Sequence, residues 1–388
     1  MQIDQVVYLT VSPFSKRDND RFGVDIFLNH GIDVIVLDLT SYFDKYVAQN
    51  YVRTCDQKYD FVIQYSSFHE VKKFITTSSE NTIFIAFIGN SGVKSLRILN
   101  VLSKHNKQFG TILSGLLPSN SRQNLFHKLK RLSIKNLLRL TCKTIYRMFN
   151  PDIKLSFVVA SGDESDKIIK DRYKNPKIIY GHTFDYDLYL QSESINTNST
   201  HIDNYILFLD DFFPFHPDFI RIKVDYSHLA DSYYKKLSKF FDAVEEKFSM
   251  KVVIGAHPRS YYDELPDYWQ GRKFVFGDTI NLVKNAKICL LHASTSINFA
   301  VLYEKPIVFV TMEEIRNSNV QSTLVAMAKE LDKLPYDIDH LERGIDIDIN
   351  MKIENYEKYI SKYIKSSNSK SQINNWEILY RYFTNNND

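Results

Sequence analysis

Val252-Val253-Ile254-Gly255-Ala256-His257-Pro258-Arg259 is a β-branched run that closes on small residues and then sets a histidine before a proline. A short, continuous apolar run of this kind reads as a strand buried on both faces, the type found in parallel sheets. The same rhythm extends outward from it. Tyr205–Leu209, Lys273–Phe276, Lys287–Leu291 and Pro306–Val310 are further candidate strands, and a long helix, roughly Tyr226–Phe248, separates the first two of this half. The N-terminal half repeats the pattern with Gln5–Val11, Asp33–Leu37, Phe61–Tyr65, Thr82–Ile88, Phe109–Ser114 and Leu155–Ala160. A helix at Leu96–Lys104 follows Gly89-Asn90-Ser91-Gly92. Strands alternating with helices predict an α/β protein of two Rossmann-like domains facing a cleft. The polar stretch 191–203, rich in Ser, Thr and Asn, is the linker candidate. The expected division is therefore 1–190, a linker at 191–203, 204–365, and a C-terminal helix in 366–388 that packs back on the first domain; Trp376, Ile378, Leu379, Tyr382 and Phe383 form its apolar set.

Composition narrows the function classes. The 388 residues suffice for two domains at roughly 100–200 residues each. Hydrophobic residues make up 44% of the chain and charged residues 24%, a balance that excludes intrinsic disorder and fibrous architectures. The net charge of +3 is too even to point to nucleic acid as a partner. Cys55, Cys142 and Cys289 have no CxxC or Cys/His spacing, so neither a structural zinc site nor a disulfide framework is expected. Met1-Gln2-Ile3-Asp4-Gln5 lacks the basic and apolar regions of a signal peptide, and no apolar run approaches the ~20 residues of a membrane span. A cytoplasmic protein is the expectation. Residues 122–151 qualify it. They carry Arg122, Lys128, Lys130, Arg131, Lys135, Arg139, Lys143 and Arg147 among leucines with no acidic residue, which reads either as a basic amphipathic helix or as a solvated cationic face. The first reading makes 122–150 a contact for an anionic membrane surface and the protein peripheral at that membrane.

Three strand ends carry the candidate chemistry. Ligands of open α/β sheets bind beyond the carboxyl ends of strands. His257 stands there, its backbone restricted by Pro258, with Arg259 beside it; the imidazole suits a phosphate oxygen. The second end is His292-Ala293-Ser294-Thr295-Ser296 before a short helix, with Glu304-Lys305-Pro306 and another strand beyond. Ser294 or Thr295 would be its N-cap, and the amides just beyond would face an anion; plain capping is the alternative. The third is Asp210-Asp211-Phe212-Phe213-Pro214-Phe215-His216, where Asp210, Asp211 and His216 either line the cleft or, for the two aspartates, cap turns.

The His-Pro element, the Ser-Thr-Ser element and the following Lys-Pro strand, together residues 205–311, resemble the second half of GT-B glycosyltransferases. More narrowly they resemble bacterial His-Pro-motif enzymes that use CMP-activated sugars: sialyl-, polysialyl- and Kdo-type transferases of surface polysaccharide synthesis. The resemblance implies that His257, with Pro258 and Arg259 beside it, and Ser294, Thr295 and Ser296 contact the nucleotide phosphate. It also implies an inverting, metal-independent transfer of a sialic-acid-like (nonulosonic) or Kdo-like acid sugar from CMP to a glycan or glycolipid acceptor in capsule, O-antigen or lipooligosaccharide synthesis, with no cofactor beyond the nucleotide-sugar. The family's acidic-acidic-Gly base motif is absent.

The base is therefore sought among residues at strand ends. Asp18, Asp20, Asp210 and Asp211 are the candidates, with Asp163 and Glu164 as a further acidic pair. Arg21 would orient a carboxylate, and Asn90, Ser91 and His216 would line the acceptor or sugar site; for Asp18, Asp20 and Arg21 a capped, solvated helix start is the competing reading. Asp185-Tyr186-Asp187 has the spacing of a GT-A metal motif, but beside a His-Pro half it is read as interdomain or structural, with no metal. P-loop, GxGxxG and GxSxG patterns are missing. The rivals are a CDP-glycerol-type polyol-phosphate transferase, a non-catalytic sugar-nucleotide-binding partner, and a UDP-sugar epimerase-like GT-B enzyme.

Overall fold

The computed structural model describes residues 3–50, 58–89, 92–118, 153–173, 175–194, 204–222, 224–369 and 372–384. The basic stretch 122–150 and the pair Asn90 and Ser91 lie outside the described residues. No described helix is long and apolar enough to cross a membrane. The chain divides into two compact units. One comprises Met1–Ser114, Ser121–Thr183 and Lys365–Asp388, and the other Gly115–Asn120 and Phe184–Ile364.

The first unit is built on a seven-stranded sheet in the order β3-β2-β1-β4-β5-β6-β7. Its strands are β1 (Gln5–Thr10), β2 (Asp33–Asp38), β3 (Val62–Gln64), β4 (Thr82–Ala86), β5 (Gln108–Leu113), β6 (Phe157–Ala160) and β7 (Lys177–Tyr180). All pairings are parallel, so helices must cover both faces, and the central strands β1 and β4 are buried from Val6 to Thr10 and from Thr82 to Ala86. The end of the chain completes this unit. The helix Asn375–Thr384 places Trp376, 1% exposed, on the turn at Gly23 and donates its indole N–H to the Arg21 carbonyl at 2.6 Å. Gly23 sits at φ +60°, and a Cβ there would run into the Trp376 ring, so only glycine serves both the turn and the close approach. Asn375 pairs through its side chain with both backbone groups of His182, just past β7.

The second unit is a six-stranded sheet in the order β10-β9-β8-β11-β12-β13. Its strands are β8 (Tyr205–Leu209), β9 (Lys251–Gly255), β10 (Phe274–Val275), β11 (Ile288–Leu291), β12 (Ile307–Thr311) and β13 (Tyr336–Asp337), again all parallel. The helix Ala230–Phe248 returns the chain from β8 to β9. Its Tyr233, Leu237, Phe240, Phe241 and Val244 recur at helical spacing and are all fully buried, which is why this amphipathic segment docks on the sheet. Each such side chain contributes about 1.5–3 kcal/mol of burial. Ser249 ends the helix in the left-handed region at φ 52°.

The expected strands recur within a residue or two of their sequence-based bounds, and Tyr336–Asp337 adds a two-residue edge strand with too little apolar pattern to see. The domain bounds differ. The helix Phe184–Ser194 belongs to the second unit, so the change of unit falls at residues 183 and 184 and the expected 190/191 boundary lies inside a helix. Tyr186 joins the core of the second unit, and burying it there outweighs the polar residues later in the helix.

Candidate functional site

In each sheet the strand order reverses at its first strand, β1 or β8. Such a switch point leaves a crevice at the carboxyl ends of the strands, because the connections leave toward opposite faces. In the second unit β8 lies between β9, whose end is followed by His257, and β11, whose end is followed by His292.

Asp210 and Asp211 follow β8 and turn to different neighbours. Asp210 accepts the backbone N–H of His257 at 3.2 Å, the Tyr262 hydroxyl at 2.8 Å and the backbone N–H of Phe212 at 2.8 Å. Behind Tyr262 the Tyr234 hydroxyl lies 3.2 Å from it. Asp211 accepts the backbone N–H of Ala293 at 2.9 Å and is hydrogen-bonded to the Ser294 side chain. One dipeptide thus ties the His-Pro loop and the hydroxyl-bearing turn to the same strand end. Burial pushes the Asp210 carboxyl up to about 6 and that of Asp211 up to about 7, against the lowering effect of their hydrogen bonds.

The His257 loop is a tight turn. Nδ1 of His257 accepts the Arg259 backbone N–H at 3.2 Å, and the Ser260 N–H and hydroxyl bond to the His257 carbonyl at 2.9 and 2.7 Å. With Nδ1 accepting, the neutral ring carries its proton on Nε2, the tautomer suited to donate to an anion. His216 meets this ring edge-on at 4.8 Å. Its own Nδ1 accepts the Asp218 N–H at 3.2 Å, and its Nε2 lies 3.4 Å from the Arg259 guanidinium, which also reaches Asp218 at 3.5 Å. Burial lowers His216 to about 4; Asp218 opposes the shift and Arg259 adds to it. An uncharged imidazole and a guanidinium therefore stand beside His257.

The turn after β11 differs from its expectation. The short helix Ile297–Leu302 takes Ser296, not Ser294 or Thr295, as its N-cap, with helical backbone and no side-chain cap bond. The N–H groups of Ile297, Asn298 and Phe299 bond back to the carbonyls of Ser294, Thr295 and Ser296 at 3.2, 3.2 and 3.1 Å. The amides expected to hold a phosphate are thus engaged within the turn, leaving hydroxyls and the exposed Thr295 as its polar surface. His292 is fully buried, donates Nδ1–H to the Val310 carbonyl at 2.6 Å and accepts the Tyr233 hydroxyl at 2.9 Å. Burial lowers it to about 4, so it is a neutral core residue.

The remaining candidates are placed elsewhere. Asp18 is the third residue of a capping box with Ser15, taking that residue's N–H at 3.0 Å and hydroxyl at 2.7 Å. Asp20 is exposed and pairs with Lys16 at 2.6 Å. Arg21 offers its carbonyl to Trp376, as described above. All three belong to the first unit. Asp163 holds Ser366 and Ser367, and Asp185 takes the amide of Asn298 at 2.9 Å, so each makes a packing contact within its own unit. Sequence reading missed Tyr262 and Tyr234; nothing in Tyr261-Tyr262-Asp263 marks the tyrosine that braces a carboxylate.

No family model matches the chain, and no curated protein matches it. Solved structures do. A protein of Listeria monocytogenes, provisionally designated a UDP-N-acetylglucosamine 2-epimerase, superposes with a TM-score of 0.53 at 11% identity over 100% of this chain and 98% of its own. UDP-GlcNAc 2-epimerase of Methanocaldococcus jannaschii follows at 0.49, with 13% identity over 99% and 100%. The glycotransferase of kitacinnamycin follows at 0.46, with 10% identity over 87% and 88%. The expectation of a CMP-sialic-acid-like or Kdo-like transferase is overturned, since the Listeria structure this chain is like is named for a UDP-sugar and not for CMP. The chain has the GT-B fold of two Rossmann-like α/β domains.

Proposed function

We propose that the chain is a sugar-nucleotide enzyme that binds a UDP-sugar through the second unit and acts on the sugar, either as an epimerase or as a transferase. The observation that carries the reading is the Asp210-Asp211 dipeptide, which fastens the His257 loop and the 293–296 turn to the switch point of one sheet. The whole-chain likeness to an epimerase named for UDP-N-acetylglucosamine supports the uridine diphosphate. In this reading the His257 Nε2–H and the Arg259 guanidinium take the diphosphate oxygens, and the hydroxyls of Thr295 and Ser296 add neutral donors, while that of Ser294 is held by Asp211. Donors aimed at a departing diphosphate are worth several kcal/mol each when the C1–O bond breaks.

Titration calorimetry with UDP, UMP, CMP and GDP tests the binding. UDP is expected to bind at least about tenfold more tightly than CMP, a difference of about 1.4 kcal/mol. Proton NMR of UDP-GlcNAc with the protein, with and without added sugar acceptors, separates the two chemistries. A new UDP-sugar without acceptor marks an epimerase, and UDP release only with acceptor marks a transferase. Binding of CMP in preference to UDP, or of neither, sinks the proposal.

A further inference from the structure

We propose that Asp210 and Asp211 are positioning residues with separate charges, Asp210 setting the His257 loop and Asp211 setting the 293–296 turn. The inference rests on the UDP-sugar reading and deepens it, since it says why the phosphate-binding parts stand where they do. Asp210 is 3% exposed and already accepts three donors, from Phe212, His257 and Tyr262. A carboxylate so enclosed and so occupied has no substrate hydroxyl to deprotonate. Asp211 commits an oxygen to the Ala293 N–H and makes a second bond to the Ser294 side chain.

The division of labour follows from the sheet. β8 is flanked by β9 on one side and β11 on the other, and Asp210 continues the ladder by donating its own N–H to the Gly255 carbonyl at 3.1 Å. Past the end of β8 the two side chains diverge, that of Asp210 to the loop after β9 and that of Asp211 to the turn after β11. Tyr262, 5% exposed and braced by Tyr234, holds the Asp210 carboxylate from behind and is the third member of this device. A charge-assisted bond from a carboxylate to a loop amide is roughly twice as strong as a neutral one. Two aspartates here, in place of asparagines, therefore stiffen both loops at a pH above about 7, where both carboxyls are ionised despite their burial.

The test combines hydrogen exchange on the full chain with ligand binding, using Asp210→Asn, Tyr262→Phe and Asp211→Asn. Asp210→Asn and Tyr262→Phe are expected to speed exchange in peptides spanning His257 and to leave those spanning Ala293 unchanged; Asp211→Asn gives the converse. Each variant is expected to weaken UDP about tenfold while leaving uridine within about twofold, because the loops meet the phosphates and each carboxylate is committed to its own loop. Tyr262→Phe keeps the test alive should Asp210→Asn fail to fold. With UDP-GlcNAc turnover as readout, Asp210→Asn raises KM more than it lowers kcat. A general base would instead lose about 10²–10⁴ in kcat, and that result overturns the proposal. Equal loosening of both loops in every variant also overturns it. Failure of the wild type to bind any uridine nucleotide sinks the UDP-sugar reading, while the exchange pattern still judges the division of labour by itself.

Discussion

Asp210 reaches across 47 residues of chain to hold the backbone N–H of His257 at 3.2 Å. The contact joins the ends of two parallel neighbours, β8 and β9, just past the ladder bond from the Asp210 N–H to the Gly255 carbonyl. A His-Pro loop left to itself would have a backbone donor and no fixed direction. The buried carboxylate supplies both partner and direction, which makes the geometry around His257 a property of the sheet as well as of the loop.

Replacement of His257 by alanine is expected to weaken UDP binding by about ten- to a hundredfold, the range for losing one hydrogen bond to a charged group. The side chain is half-exposed, so the melting temperature should move little. Calorimetry and a thermal melt on one preparation check both. Unchanged affinity would remove His257 from the site.

Asp210 makes stability depend on pH in a direction opposite to that of salt-bridged carboxylates. Its carboxyl is pushed up to about 6 by burial, so the folded chain holds this proton more tightly than the unfolded chain does. The resulting stabilisation is present below the unfolded carboxyl range near pH 4 and is lost as pH rises through about 6. Melting temperature plotted from pH 4.5 to 7 should therefore fall less steeply in Asp210→Asn than in wild type. A steeper fall in the variant would contradict the assignment.

His292 acts on the other side of neutrality. Burial lowers its imidazole to about 4, so its contribution is complete above pH 6.5 and is lost as pH falls toward 4. His292→Phe leaves the Tyr233 hydroxyl and the Val310 carbonyl without their partner, at about 1–3 kcal/mol for each group. Urea denaturation at pH 7.5 and pH 5 should show a large loss at the first pH and a smaller one at the second.

Trp376→Ala should destabilise the first unit by about 3–5 kcal/mol, the usual cost of emptying an aromatic site in a core. Gly23→Ala should reach a similar outcome from the opposite side, through its left-handed backbone and the ring above it. Limited proteolysis reports the effect locally, with cleavage expected first in the first unit.

Asp18→Asn and Asp20→Asn separate capping from chemistry. The first is expected to cost about 1 kcal/mol through the weakened capping box, and the second less than about 0.5 kcal/mol, since its ion pair is exposed. Turnover of the UDP-sugar should stay above about a tenth of wild type in both. A larger loss in either would make that carboxylate part of the reaction.

The parallel sheets were legible because a strand buried on both faces must be apolar throughout. Val6, Val7, Ile206, Leu207, Val252, Val253, Leu290 and Leu291 announce that condition residue by residue. The strand ends at 210–211, 257 and 292–296 were legible for the same reason, since polar side chains begin where the buried run stops. Tertiary structure alone decided what those polar residues do. Asp210 and Asp211 read alike in the chain, yet one turns to β9 and the other to β11, because strand order is set by long-range packing that no local pattern records. The same holds for the helix 184–194, which sides with the second unit, and for Trp376, whose partner Gly23 lies at the other end of the chain. The identity of the nucleotide stayed out of reach of sequence pattern as well. A histidine and a hydroxyl-bearing turn greet any phosphate alike, and it was the likeness of the whole fold to a structure named for a UDP-sugar that set the CMP expectation aside.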